Sequence, residues 1–321
     1  ALDMFAYGSG IATAWGDGHG GFEPLQGKTL ATLVGDSQQI TSAVVVDLDT
    51  DGTHEIILAA QHAKSWSTSL IALDVRRDRR IDERHLGLLA RGDIQLAAAD
   101  LDGDGATDLL ASGGSPVLEL SLYYGDGRGQ LRGAITSRTM VPSSLHESRL
   151  AELNGDKLLD LVGVVSEGMV LNAGRGRGDF AESSLWTQVI GVASFAVGDL
   201  DDDGQRDLAL IAQDRLLKVQ GARAMAPPKV MVPGPSAVAI ADLNHDGRSE
   251  VVAAGPGTGE DPARSRLYIG TRTDDGAYVF SEREFLLSNP MGIEALDFDG
   301  DGDVDLAILG TETIVILRRQ P

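Results

Sequence analysis

The sequence predicts an all-β protein in which one four-stranded unit recurs along the chain, and three observations lead to that reading. Forty glycines and no cysteine accompany many short Val, Ile, Leu and Ala runs bounded by Gly, Asp and Ser, the pattern of numerous short strands joined by tight turns. The stretch AADLDGDGATDLLASG, residues 98 to 113, crowds Asp100, Asp102, Asp104 and Asp108 immediately before an apolar run. It recurs with first acidic residues at Asp47, Asp100, Glu152, Asp199, Asp242 and Asp297, spaced by 53, 52, 47, 43 and 55 residues. A period of this size holds four short strands, as in the blade of a β-propeller.

The repeats start near residues 45, 98, 150, 197, 240 and 295, with a partial repeat over residues 1–40, so residues 1–321 read as one propeller domain. In the second unit, residues 94–100 are strand A, the acidic loop follows, 108–113 are strand B, 117–125 strand C and 134–141 a weaker strand D. Strand A is almost entirely small or β-branched, which suits a crowded inner strand, and strand D is polar, which suits a rim. Glycine-rich turns close strand C in YYGDGRGQL, LNAGRGRGDF and WGDGHGGF. Asp3, followed by Met4 and Phe5, aligns with Asp108 and Asp305, so the chain starts at a strand B, while its end supplies strands A, B and C. The 71 residues from Asp297 around to Asp47 fall between the needs of one and two further units; seven blades are expected, with six as the alternative.

In a loop of the form D-x-D-x-D-G-x-x-D, side chains at positions 1, 3 and 5 converge as the backbone curls, and Gly at position 6 permits the sharp turn. The carbonyl of position 7 and the carboxylate of position 9 complete an oxygen cage. The side-chain ligands expected in the first three copies are Asp47, Asp49, Asp51 and Glu55; Asp100, Asp102, Asp104 and Asp108; and Glu152, Asn154, Asp156 and Asp160. In the last three they are Asp199, Asp201, Asp203 and Asp207; Asp242, Asn244, Asp246 and Glu250; and Asp297, Asp299, Asp301 and Asp305. An all-oxygen, charged set selects a hard cation of high coordination number, calcium ahead of magnesium or zinc. A helix-flanked calcium loop would need Glu at position 12, where this chain has Leu58, Ala111, Gly163, Leu210, Ala253 and Ile308.

These six copies resemble the FG-GAP and VCBS-type repeats that build calcium-binding β-propellers, among them the integrin α-subunit head, secreted bacterial proteins and fungal lectins. The resemblance implies calcium in the loops between strands A and B, about five or six ions in all. The third copy departs from the pattern with Glu152, Asn154 and Lys157, and is expected to be the weakest site. A lysine in the left-handed region costs on the order of 1 kcal/mol, and its ammonium lies beside the cation's place. With Kd near ~0.1 mM and free calcium near ~1 mM, each ion contributes ~1.4 kcal/mol, and five or six rival the whole stability of a typical domain.

A formal charge of −21 argues against phosphate backbones and anionic membrane surfaces as partners. No apolar run reaches the ~18 residues of a membrane span. The opening ALDMFAYGSGIATAW has neither a basic region nor an apolar core of a signal peptide, and the absence of thiols leaves the redox compartment open. The stretch GFEPLQGKT misses the P-loop spacing, and GDGHGG fits G-x-G-x-x-G without a following helix. Two RGD tripeptides, at 91–93 and 177–179, sit in a composition rich in all three residues. No set of nucleophile, base and orienter emerges from the residues. Of the longer loops on the face opposite the acidic ones, residues 59–69 carry His62 and Trp66, which could hydrogen-bond and stack on a sugar ring. The expectation is a calcium-stabilised, monomeric module at the cell surface, outside the cell or in the periplasm, binding a carbohydrate or protein. The alternatives are a polysaccharide lyase or hydrolase built on a propeller, or a spacer within a larger secreted protein.

Overall fold

The structure is a computed structural model that describes residues 4–7, 10–16, 26–29, 38–62, 65, 67–76, 80–91, 94–113, 117–140, 143, 145–213, 216–220, 236–257, 261, 263–274, 276–298, 301–310 and 313–318. Antiparallel sheets whose strand order follows the chain account for all regular structure among these residues. The first sheet holds β1 (Met4–Tyr7), β2 (Gly10–Ala14) and β3 (Gln26–Thr29). The second holds β4 (Gln38–Val46), β5 (Glu55–His62), β6 (Ser67–Val75) and β7 (Ile81–Arg91). The third holds β8 (Ile94–Ala99), β9 (Asp108–Gly113), β10 (Val117–Gly125) and β11 (Leu131–Met140).

The fourth sheet joins β12 (Glu147–Ala151), β13 (Asp160–Val165) and β14 (Gly168–Asn172), then continues, past a ribbon of β15 (Gly174–Gly176) and β16 (Asp179–Phe180), to β17 (Ser184–Thr187). The fifth holds β18 (Val192–Gly198), β19 (Asp207–Ala212) and β20 (Leu216–Gln220). The sixth holds β21 (Ala237–Ala241), β22 (Glu250–Pro256), β23 (Arg264–Arg272) and β24 (Tyr278–Leu286). The last holds β25 (Gly292–Leu296), β26 (Asp305–Leu309) and β27 (Ile314–Leu317). Seven four-stranded blades are therefore not what forms among the described residues: four sheets are complete and three carry three strands.

The chain divides into two compact units, residues 1–150 with 158–187, and residues 151–157 with 188–321. In the first, apolar faces stack: Ile57, Leu70 and Ala72 meet Ile94, Leu96 and Leu109 of the third sheet. Leu110, Leu118 and Leu120 of that sheet meet Leu161 and Val170 of the fourth. In the second unit, Ala209 and Ile211 pack on Val251 and Tyr268, while Val252 and Ala254 pack on Ile293 and Ile308. Each Leu, Ile or Val among these, fully buried, contributes roughly 1.5–3 kcal/mol before the entropy of ordering it is charged.

The most buried strand is B, while strand A lies at one edge of its sheet. Strands β9, β13 and β19 are buried at every position, whereas β8, β18 and β21 are only partly buried, and Val45 and Leu296 in strands A are exposed. Strand A has a hydrogen-bonded neighbour on one side within its sheet, while strand B is flanked on both edges and covered on both faces. Strand D carries the polar rim expected of it, as the mostly exposed β24 shows.

The acidic loops as a candidate metal centre

Each acidic loop links strand A to strand B, and its geometry follows from where its amides point. The carboxylate at position 1 accepts the N–H of position 6: Gly52 to Asp47 at 3.0 Å, Gly105 to Asp100 at 3.0 Å, Gly204 to Asp199 at 2.9 Å, Gly247 to Asp242 at 2.9 Å and Gly302 to Asp297 at 3.0 Å. Position 5 accepts from position 7, with Thr53 to Asp51 at 2.7 Å and Ala106 to Asp104 at 2.8 Å, as do Asp203, Asp246 and Asp301. These short-range bonds need two left-handed residues per loop. Position 6 was legible as Gly; position 4 was not, because it holds Thr50, Gly103, Gly155, Asp202 and His245, with φ of 57°, 82°, 84°, 60° and 57°.

Position 9 is buried in all six copies, at Glu55, Asp108, Asp160, Asp207, Glu250 and Asp305. It ties the loop closed by accepting the N–H of position 2: Leu48 to Glu55, Leu200 to Asp207 and Leu243 to Glu250 at 2.8 Å, and Leu101 to Asp108 at 2.9 Å. Phe298 donates likewise to Asp305 at 3.3 Å. The second oxygen of Asp108 accepts from Gly125, and that of Asp160 from Gly174, where strand C ends. A side chain at Gly125 or Gly174 would run into the carbonyl of position 8, Thr107 or Leu159, which explains the first glycine of each turn. Burial pushes the carboxyls of Glu55, Asp108 and Glu250 upward, against the pull of these N–H donors.

Three loops bring ligand oxygens within 4.8 Å of one another: Asp47, Asp49 and Glu55; Asp100, Asp102 and Asp108; and Asp199, Asp201 and Asp203. In the fifth loop the Asn244 amide donates to Glu250 at 2.9 Å and its oxygen accepts from Asp246 at 2.8 Å. Asp299 of the sixth loop, like Asp3 and Trp66, lies outside the described residues. In the third loop Glu152 Oε1 accepts from Asn154 and Asp156 at 3.1 Å and from Gly155, and Lys157 has φ 69°. One oxygen of Asp199 and one of Asp242 are shut off from solvent with no hydrogen-bond donor. A buried carboxylate oxygen left unpaired is costly, and a cation among oxygens of this kind removes the cost, so the donor set fits a hard divalent ion.

A feature the sequence did not reveal is that the turn after strand C grips the acidic loop of the preceding sheet. Gly129 N–H donates to the Leu48 carbonyl at 3.2 Å, and Gly178 N–H to Leu101 at 3.1 Å. Tyr278 Oη donates to Leu200 at 3.0 Å, and Arg272 bonds Asp202 at 2.7 Å. The carbonyl acceptors Leu48, Leu101 and Leu200 are all position 2, whereas Arg272 reaches the position 4 carboxylate. Asp126 shapes one of these turns by accepting from Arg128 at 2.9 Å and Gln130 at 3.0 Å, and the Gln130 and Arg128 amides hold its carboxyl below the usual range.

Residues 242–308, the fifth loop through the sixth, match the FG-GAP-like repeat family. Among solved structures, a lectin from Agrocybe aegerita that recognises non-reducing terminal N-acetylglucosamine is 15% identical, with a TM-score of 0.58 over 98% of this chain and 86% of its own. The Dos1 propeller is 11% identical, with a TM-score of 0.52 over 98% of this chain and 91% of its own. The fold is a β-propeller. The core factor of S. cerevisiae is also similar, 11% identical with a TM-score of 0.52 over 96% of this chain and 51% of that one. No curated protein matches the propeller. At the opposite end of strand B from the acidic loop, His62 Nε2 lies 3.1 Å from Ser69 Oγ across the β5–β6 pair.

Proposed function

We propose that residues 1–321 form one calcium-stabilised propeller domain that acts outside the cell, at its surface or in the periplasm, as a binding module for a carbohydrate or protein ligand. The observation that carries this reading is the pair of solvent-excluded, donorless oxygens on Asp199 and Asp242 inside cages repeated along the chain. Calcium would be held by positions 1, 3 and 5 of each loop together with the buried acid at position 9, about five or six ions in all, with the 152–160 loop weakest. The likeness to a lectin of the same fold supports carbohydrate as a ligand class.

Bound metal per chain, measured by mass spectrometry of protein dialysed against calcium, tests the first half. About five calcium ions are expected, and a metal-free protein indifferent to chelator removes the proposal. A glycan array probed with and without calcium tests the second half, and the absence of any bound glycan removes carbohydrate as the ligand.

A further inference from the structure

One cleft in the first compact unit breaks the pattern of the repeat. It lies between the first acidic loop and the turn after β10, has a cavity volume of about 380 Å³, and is lined only by polar residues and Gly129. Asp49, Asp51 and Glu55 form one wall. Arg84 and Asp74, 3.1 Å apart, brace it, with Arg84 also donating to the Gly129 carbonyl. Arg76 and Arg128 are exposed at its sides, Arg76 held by Asp82 at 2.9 Å with 57% of its side chain still in solvent.

The position facing the buried acid across the strand pair is Asp74 here, but the registers put Tyr124, Ala173 and Thr271 at the equivalent places in the second, third and fifth repeats. Folding the repeat therefore does not require this constellation. The lining has no apolar wall for a peptide side chain and many groups for hydroxyls and carboxylates. Four acids and three arginines line it, and once Asp47, the remaining acid of the first loop's ligand cluster, is counted, a divalent ion in that loop neutralises the acidic excess and leaves the exposed guanidiniums as the charges facing solvent.

We propose that this cleft binds an anionic saccharide, with the carboxylate of a uronic acid unit held by Arg76 and Arg128 and its ring hydroxyls turned toward the first acidic loop. Guanidinium supplies the planar paired donors that carboxylates favour. The proposal rests on the calcium-stabilised, carbohydrate-binding reading above and assigns that reading a place and a ligand class.

The test is titration calorimetry of the calcium-loaded protein with trigalacturonate, with neutral galactotriose and a glutamate trimer as controls. Trigalacturonate alone should bind, and the double variant Arg76→Ala/Arg128→Ala should bind it at least about tenfold more weakly at an unchanged melting temperature. Equal binding by the double variant, by galactotriose or by the glutamate trimer overturns the proposal, as does no binding of trigalacturonate. If the array still finds a glycan whose binding the double variant retains, the carbohydrate-binding reading stands and only the cleft falls; if no glycan binds at all, the cleft and the carbohydrate reading both fall.

Discussion

Lys157 shows how a single residue sets the strength of a loop. It occupies the left-handed position that Gly52, Gly105, Gly204, Gly247 and Gly302 fill elsewhere, at φ 69°. Lys157→Gly should stabilise the protein by about 1 kcal/mol in urea denaturation, since glycine carries no Cβ penalty there. A destabilised variant would show that the lysine is held by something other than its backbone. Asp126 offers a pH test. Its carboxyl is held below the usual range, so its contribution is present above the ordinary carboxylate pKa and lost as pH falls through the lowered native value. Asp126→Asn should therefore be less stable than the native protein at neutral pH, and the two should converge in acid. A gap that stays constant from neutral to strongly acidic pH would contradict this.

Across elements, the turn after strand C and the preceding acidic loop behave as one joint. Tyr278 is the clearest case, its hydroxyl donating to the Leu200 carbonyl and its ring burial raising its own pKa above the tyrosine norm. Tyr278→Phe should cost about 0.5–1.5 kcal/mol by chemical denaturation. The same variant should weaken terbium luminescence from the fourth loop, because the joint holds position 2 of that loop in place. Unchanged luminescence with lowered stability would separate the joint from the cage. Asp100→Ala should remove one bound ion and lower stability by roughly 1–2 kcal/mol at millimolar calcium, read by mass spectrometry and by melting.

For the molecule as a whole, charge is the governing quantity. At −21, chelated protein repels itself, and monovalent salt should raise its melting temperature by screening. Calcium saturation neutralises much of that charge, so the salt effect should shrink. An equal salt dependence in both states would mean that the acids are not where the ions go.

The sequence by itself determined the all-β class, the repeat, the four-strand unit and the place of every acidic loop, because those features are local: a period, a turn residue and a run of β-branched side chains each act within a few residues. The bounds of β9 and β10 were legible to the residue for that reason. Tertiary structure decided what depends on neighbours distant in the chain. Strand B rather than A is the most buried, since burial is set by what stacks on both faces. Position 9 closes its own loop and caps the end of strand C, and glycines after strand C are required by a carbonyl brought from another strand. Arg76, Arg84 and Arg128 meet at one cleft only because β6, β7 and the turn after β10 come together, and no spacing along a chain records that approach.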